Sequence, residues 1–251
     1  MTLGSILDAK SLAFVVGSVL SVAAVIRFKP SECRLVAEAA LPVGLKGFLI
    51  GVISMLGAEY NPSQIAPAVA IAILTLVYAG IVRLLFLDSL NQNLLEAHTL
   101  VGKAAGTGGV IFMMMWAMTS VSPDGLTMFW YPQVAMVMTG VALLVFVLGR
   151  LIDAGHATDW AKKIIGLGWL GFSIGIVAAL PQLSEPTALG PALAFSFLSL
   201  LYSTVAVVVG LIWFPQAMAS GKGSLALGLS SMMPIAVAVL AVLVGLTLSL
   251  Q

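Results

Sequence analysis

An all-α integral membrane protein, with about eight transmembrane helices in two parallel repeats of four, is the fold class this sequence predicts. Three observations carry it. Of 251 residues, 61% are hydrophobic and only 8% charged, with a mean hydropathy of +1.13, whereas soluble domains carry about 25% charged residues. The apolar runs are continuous and approach the roughly 20 residues a helix needs to cross a bilayer; they do not alternate as barrel strands would. Finally, one stretch occurs twice. Residues 42–82 align on 166–206 at a constant offset of 124, with 13 identities in 41 positions. Gly44, Gly47, Phe48, Gly51, Pro62, Pro67 and Tyr78 meet Gly168, Gly171, Phe172, Gly175, Pro186, Pro191 and Tyr202. Paired glycines, prolines and tyrosines at a single offset mark an internal duplication.

Taken in order, the candidate spans are 11–26, 39–56, 65–82, 104–121, 129–149, 164–180, 188–214 and 225–250. All must be helices, because backbone facing lipid has to satisfy its own hydrogen bonds. The first is not a cleavable signal peptide, since Arg27 follows the apolar run instead of preceding it. Pro67 and Pro191 are expected to open the third and seventh helices, where proline forfeits no hydrogen bond. Residues 83–103 can extend the third helix as an amphipathic segment or form a solvated linker helix. Gly47 with Gly51, and Gly171 with Gly175, stand four apart and are expected at close helix–helix contacts.

Nine of the eleven basic residues fall on one face of this arrangement: Arg27, Lys29, Arg34, Arg83, Lys103, Arg150, Lys162, Lys163 and Lys222. The positive-inside rule makes that face cytoplasmic, so both termini are expected on the non-cytoplasmic side. Gly17 and Arg27 also pair with Gly140 and Arg150 at an offset of 123. The resulting organisation is a first membrane repeat at 1–100 (three helices plus a cytoplasmic linker), a complete four-helix unit at 101–218, and a final transmembrane helix at 219–251. Four helices per repeat preserve orientation, so the copies are parallel and not inverted.

A net charge of +1 excludes an electrostatic nucleic-acid binder, and a single cysteine, Cys33, excludes an intramolecular disulfide framework. No nucleophile–base pair, phosphate loop or metal cluster is visible, so no catalytic residue, metal or cofactor is expected and the chain does not read as an enzyme. His98 and His156 fall in loops. No acidic residue falls within the spans as bounded above. The one charge inside a span is Lys46, about two turns from the cytoplasmic end by that count, and its copy is Leu170. It either snorkels to the headgroups or faces a partner carboxylate. Thr75 with Tyr78, and Ser199 with Tyr202, form a repeated polar strip. These residues either bond their own helix backbone or face a helix from another subunit. Met113, Met114 and Met115 are expected to pack against lipid or helices.

The repeated stretch resembles the third and fourth membrane helices of flagellar stator A-subunits, the MotA/PomA branch of the MotA–TolQ–ExbB superfamily. The residues that carry the resemblance are GLKGFLIGVISML with IAPAVAIAILTLVYAGI, then GFSIGIVAALPQLSEPTALGPALAFSFLSLLYS and the WFP at Trp213–Pro215. KAAGTGGVIFMMMWAMTS and VAMVMTGVALLVFVLGRLI are similar to the first and second helices. The resemblance implies a homo-oligomeric membrane scaffold or proton-channel subunit of the bacterial inner membrane. Such a scaffold works with a single-helix B-type subunit that carries the ionisable carboxylate. It also implies that Thr75, Tyr78, Ser199, Tyr202 and Lys46 face a channel or partner. Two departures stand against part of this. The large cytoplasmic insertion between second and third helices is absent, and the family's channel-facing Thr is replaced by Phe48 and Phe172. A transporter or assembly subunit that kept the fold but lost ion coupling is the alternative.

Overall fold

In the computed structural model, residues 8–29, 32–57, 62–91, 99–121, 126–132, 134–136, 139–140, 160–181 and 186–218 are described. Among them six long helices occur: α1 (Ala9–Val25), α2 (Arg34–Gly57), α3 (Pro62–Leu85), α4 (Leu100–Val121), α5 (Trp160–Ala179) and α6 (Pro186–Trp213). Short 3-10 segments at Leu87–Asn91 and Thr127–Phe129 and one α-turn at Pro215–Met218 complete the described elements, none of which is a strand. Four stretches, Arg34–Leu56, Leu100–Val121, Trp160–Val177 and Ser196–Trp213, are long and apolar enough to cross a membrane. The architecture is therefore all-α and compatible with membrane integration. Spans 129–149 (beyond its first residues) and 225–250 lie outside the described residues.

Local chemistry sets the helix ends. The Asp8 carboxylate accepts the Ser11 backbone N–H at 2.7 Å and caps α1. Beyond the other end, Arg27 and Phe28 take the left-handed backbone region (φ 50° and 55°), through which a right-handed helix cannot continue. Pro62 and Pro186, and not Pro67 and Pro191, are the first residues of α3 and α6. Each helix starts one turn earlier than expected, because a proline tolerated at the first position also stands five residues upstream. The continuous amphipathic extension after α3 does not form. The α-helix stops at Leu85 and the chain tightens into the 3-10 segment, leaving Leu84, Leu85 and Leu87 exposed.

Packing is organised by small residues. In the antiparallel hairpin α2–α3, a methyl on Gly44 would run into the Ala79 Cβ and come within 3.1 Å of the Thr75 carbonyl oxygen; one on Gly47 would meet the Thr75 side chain at 2.7 Å. In the hairpin α5–α6, Gly168 lies against Ser203 and Gly175 against Ser196. Helix α1 runs antiparallel to α4, with Gly106 against Val25 and Gly109 against Ser21. The two hairpins meet through α2 and α6, and α2 also touches α1 and α4. It is thus the central helix, with Val43, Phe48, Leu49, Ile50 and Ile53 buried along it.

The contrast between glycines is testable. Gly44→Ala forces a methyl onto Ala79 and the α3 backbone, which cannot turn aside, so it should cost about 1–3 kcal/mol. Gly80 has nothing within 4 Å of an added methyl, so Gly80→Ala should be neutral or stabilise by up to about 1 kcal/mol through helix propensity. Unfolding in detergent measures both. Equal effects would mean that the α2–α3 seam is not tightly packed.

Candidate functional site

The site grows out of one face of α2. Glu38, Pro42 and Lys46 are spaced four apart and so lie one above another on that face. Pro42 sits inside the helix and has no N–H to donate to the Glu38 carbonyl. Lys46 lies about 18 Å along the helix from Arg34 at 1.5 Å per residue, near the middle of the span and not close to its end. Its side chain is 0% exposed, and its Nζ has no hydrogen-bond partner among the described residues. The snorkelling reading is overturned, because a snorkelling ammonium leaves its head accessible and this one is enclosed by helices. Ser18 Oγ on α1 is enclosed in the same way without a partner among the described residues.

Glu38 corrects a second expectation. It falls inside α2 and is 2% exposed, so a span does contain a buried acid. Sequence reasoning missed it because the apolar run starts at Ala39, whereas the helix starts at Arg34. Its carboxylate acts electrostatically on the Arg83 guanidinium of α3, whose Nη1 donates to the Ala37 carbonyl at 3.3 Å. At the same end of the bundle Lys103 Nζ donates to the Trp213 carbonyl at 3.1 Å, and Trp213 Nε1 to Thr107 Oγ1 at 3.0 Å. The lysine thereby satisfies a C-terminal carbonyl of α6.

The polar strip is tied up within the chain. Thr75 Oγ1 donates to the Ala72 carbonyl and Ser199 Oγ to the Ser196 carbonyl, each at 2.7 Å, so both make the same bond to the residue three before them. Ser199 also reaches the Gly168 carbonyl at 3.1 Å. Tyr202 donates to the Phe129 carbonyl at 2.8 Å, while Tyr78 is buried. Gly51 is buried beside Gly47, and Gly171 is half-buried beside buried Gly175. Phe48 and Phe172 are core residues, the latter stacked edge-on against Trp169 and Phe197. Beside the Gly47–Thr75 contact lies a cavity of about 20 Å³ between α1, α2, α3 and α4, bordered by Ser11, Phe14, Ile50 and Trp116. That is room for one water. No cluster of His, Cys, Asp or Glu capable of holding a metal occurs among the described residues.

The chain gives no significant match to any family model, curated protein or solved structure.

Proposed function

We propose that this chain is the membrane scaffold or channel subunit of a stator-like complex driven by an ion motive force. It assembles as a homo-oligomer in a bacterial inner membrane, around a single-helix partner that carries the ionisable carboxylate. The observation that carries the reading is Lys46, an amine enclosed in the middle of the central helix with no acceptor among the described residues. Ionisable groups at membrane depth are costly and are kept where ions or protons move. Among the described residues, Glu38 is the one acid in a candidate span, and it is two turns from Lys46. An acid at the depth of Lys46 is therefore the partner's to supply. The duplication supports the same architecture: Gly44 on Ala79 and Gly168 on Ser203 are one contact repeated at an offset of 124, as are the bonds of Thr75 and Ser199.

The test is purification in mild detergent followed by flux measurement in liposomes. The expected result is a co-purifying single-span protein with a mid-span acid, whose replacement by Asn abolishes proton or sodium flux. A stable complex without flux would favour the second reading, a transporter or assembly subunit that lost ion coupling. Two observations favour that reading: the Thr75 and Ser199 hydroxyls are bonded to their own helices, and Phe48 and Phe172 occupy the core.

Orientation yields a further expectation. Cys33 lies at the basic end, its thiol donating to the Lys29 carbonyl at 3.6 Å, and burial raises its pKa above the ordinary thiol value. Since the thiolate reacts and the raised pKa depletes it near neutrality, labelling by a membrane-impermeant maleimide should accelerate from pH 7 to 9. It should occur only from the cytoplasmic side. Labelling of intact cells would reverse the proposed topology.

A further inference from the structure

Two enclosed polar atoms in the middle of the bundle, Ser18 Oγ on α1 and Lys46 Nζ on α2, have no partner among the described residues. The packing register brings them to one depth. Ser11 and Ile50 border one cavity, and a methyl on Gly47 would meet the Phe14 ring at 2.8 Å. Three residues down α1 therefore correspond to three residues back along α2, and one further turn puts Ser18 level with Val43. Lys46 lies one turn before Ile50 on the same side of α2, and side chains lean toward the N-terminus of their helix. The lean carries the amine from its own backbone toward the level of Ser18.

The stripe of α1 that holds Ser18 is polar toward one end only. Beyond Phe14 it carries Ser11 and then Asp8, and the Ser11 hydroxyl donates to the Asp8 carboxylate at 2.5 Å. The cavity with room for one water lies against Ser11, and exposed Lys10 and half-buried Ser120 form its outer border. Toward the basic end the stripe continues as Val22 and Val25, both buried. Phe14, 2% exposed, stands between Ser11 and Ser18.

We propose that this stripe and cavity form an entry path for water and protons, running from the non-cytoplasmic end of the chain to Lys46 and closed at the Phe14 ring. The proposal rests on the reading of Lys46 as an amine on the ion path, and adds the side from which it is reached, the gate and the ion. An apolar constriction holds back water, and Phe14 is that constriction between the cavity and Ser18. With the ring turned aside, waters join Ser11 to Ser18. Asp8 draws cations to the mouth by its charge, and the Ser18 hydroxyl, both donor and acceptor, holds the last water against the amine. There a hydronium ion gives up a proton: an O–H bond breaks, an N–H bond forms on Lys46, and water and an ammonium remain. An amine offers a metal cation no negative charge, and an ammonium repels it, so the path serves protons and not sodium.

Silver ion, which is small and binds thiols, tests the path in a Cys33→Ser background. In right-side-out vesicles, external silver should reach Ser18→Cys once Phe14→Ala or Phe14→Val removes the ring, read as loss of maleimide labelling after denaturation. With Phe14 in place the thiol should react far more slowly, and in inside-out vesicles it should not react in either background. Phe112→Cys, exposed on α4, controls for silver that crosses lipid. A Ser18→Cys thiol that stays unreactive in both ring-less variants, reacts equally fast with and without the ring, or reacts from the cytoplasmic side overturns the proposal. The readout does not need flux, so the two readings fail separately. An unreactive thiol in a complex that conducts protons overturns the path and leaves the channel reading; a reactive thiol in a complex without flux supports the path and overturns the channel reading.

Discussion

Replacing Lys46 with methionine should make the chain more stable and abolish the ion flux proposed above. Burying a polar group without a hydrogen bond costs about 1–3 kcal/mol in proteins, and among the described residues the Lys46 amine has no partner. Methionine has similar length, no polar head and a flexible thioether that fits an irregular space, so the gain should approach that range, read as an upward shift of the unfolding midpoint in detergent. Lys46→Arg should act in the opposite direction, because guanidinium stays charged and its planar fork does not fit a space shaped by an amine. If Lys46 carries or gates the ion, flux in the methionine variant falls to background although the fold is firmer. Stability that falls in the methionine variant would mean that the amine has a structural partner. Unchanged flux would leave only the reading without ion coupling.

The helical architecture was legible because continuous apolar runs need no tertiary information to be read. Of the four glycines expected at helix contacts, Gly47 lies against Thr75 of α3 and Gly175 against Ser196 of α6. Hydropathy places helix boundaries short wherever polar residues are built into a helix end. Arg34 and Glu38 extend α2 below its apolar run, and Pro62 and Pro186 start α3 and α6 before theirs. Hydropathy scores such residues as loop. The apolar run misplaces the depth of Lys46 for the same reason, since a span starting at Ala39 instead of Arg34 puts the lysine nearer the headgroups. That Thr75 and Ser199 bond their own helices, one of the two readings the residue types allowed, is decided by side-chain rotamers, which spacing does not encode. The asymmetry between the two halves was visible only as Lys46 against Leu170. Its extent along α2 and α5 depends on which helices cover which faces, and that is a tertiary property.

Breaking the Glu38–Arg83 pair should be the most damaging single change at the basic end of the bundle. Glu38 is enclosed, Arg83 is half-buried, and the two interact across the α2–α3 seam. Glu38→Gln keeps the shape but removes the negative charge that acts on the guanidinium; such a loss costs about 3–5 kcal/mol where both groups are buried and about 0–1 kcal/mol where both are exposed. Because Glu38 is buried and Arg83 half-exposed, about 2 kcal/mol is the expected loss. The Glu38→Gln, Arg83→Met double variant should recover most of it, since neutral replacement of a whole buried pair is often close to neutral. A residual loss of about 0.5 kcal/mol should remain from the missing Arg83 bond to the Ala37 carbonyl. Arg34, one turn before Glu38 on the same helix, supplies a second positive charge at i,i+4 spacing, so Arg34→Gln should make the Arg83→Met variant worse and not simply add to it. Additive losses for Glu38 and Arg83 in the double-mutant cycle would show that the two groups act separately. Continued at the offset of 124, these positions become Lys162 and Val207 in the second hairpin, which cannot form the pair. The buried acid, its arginine and the enclosed amine of Lys46 all belong to the α2–α3 hairpin. Variants of Glu38 and Arg83 should therefore impair stability, and variants of Lys46 the proposed ion flux, whereas the same substitutions made in α5 and α6 should act through packing alone.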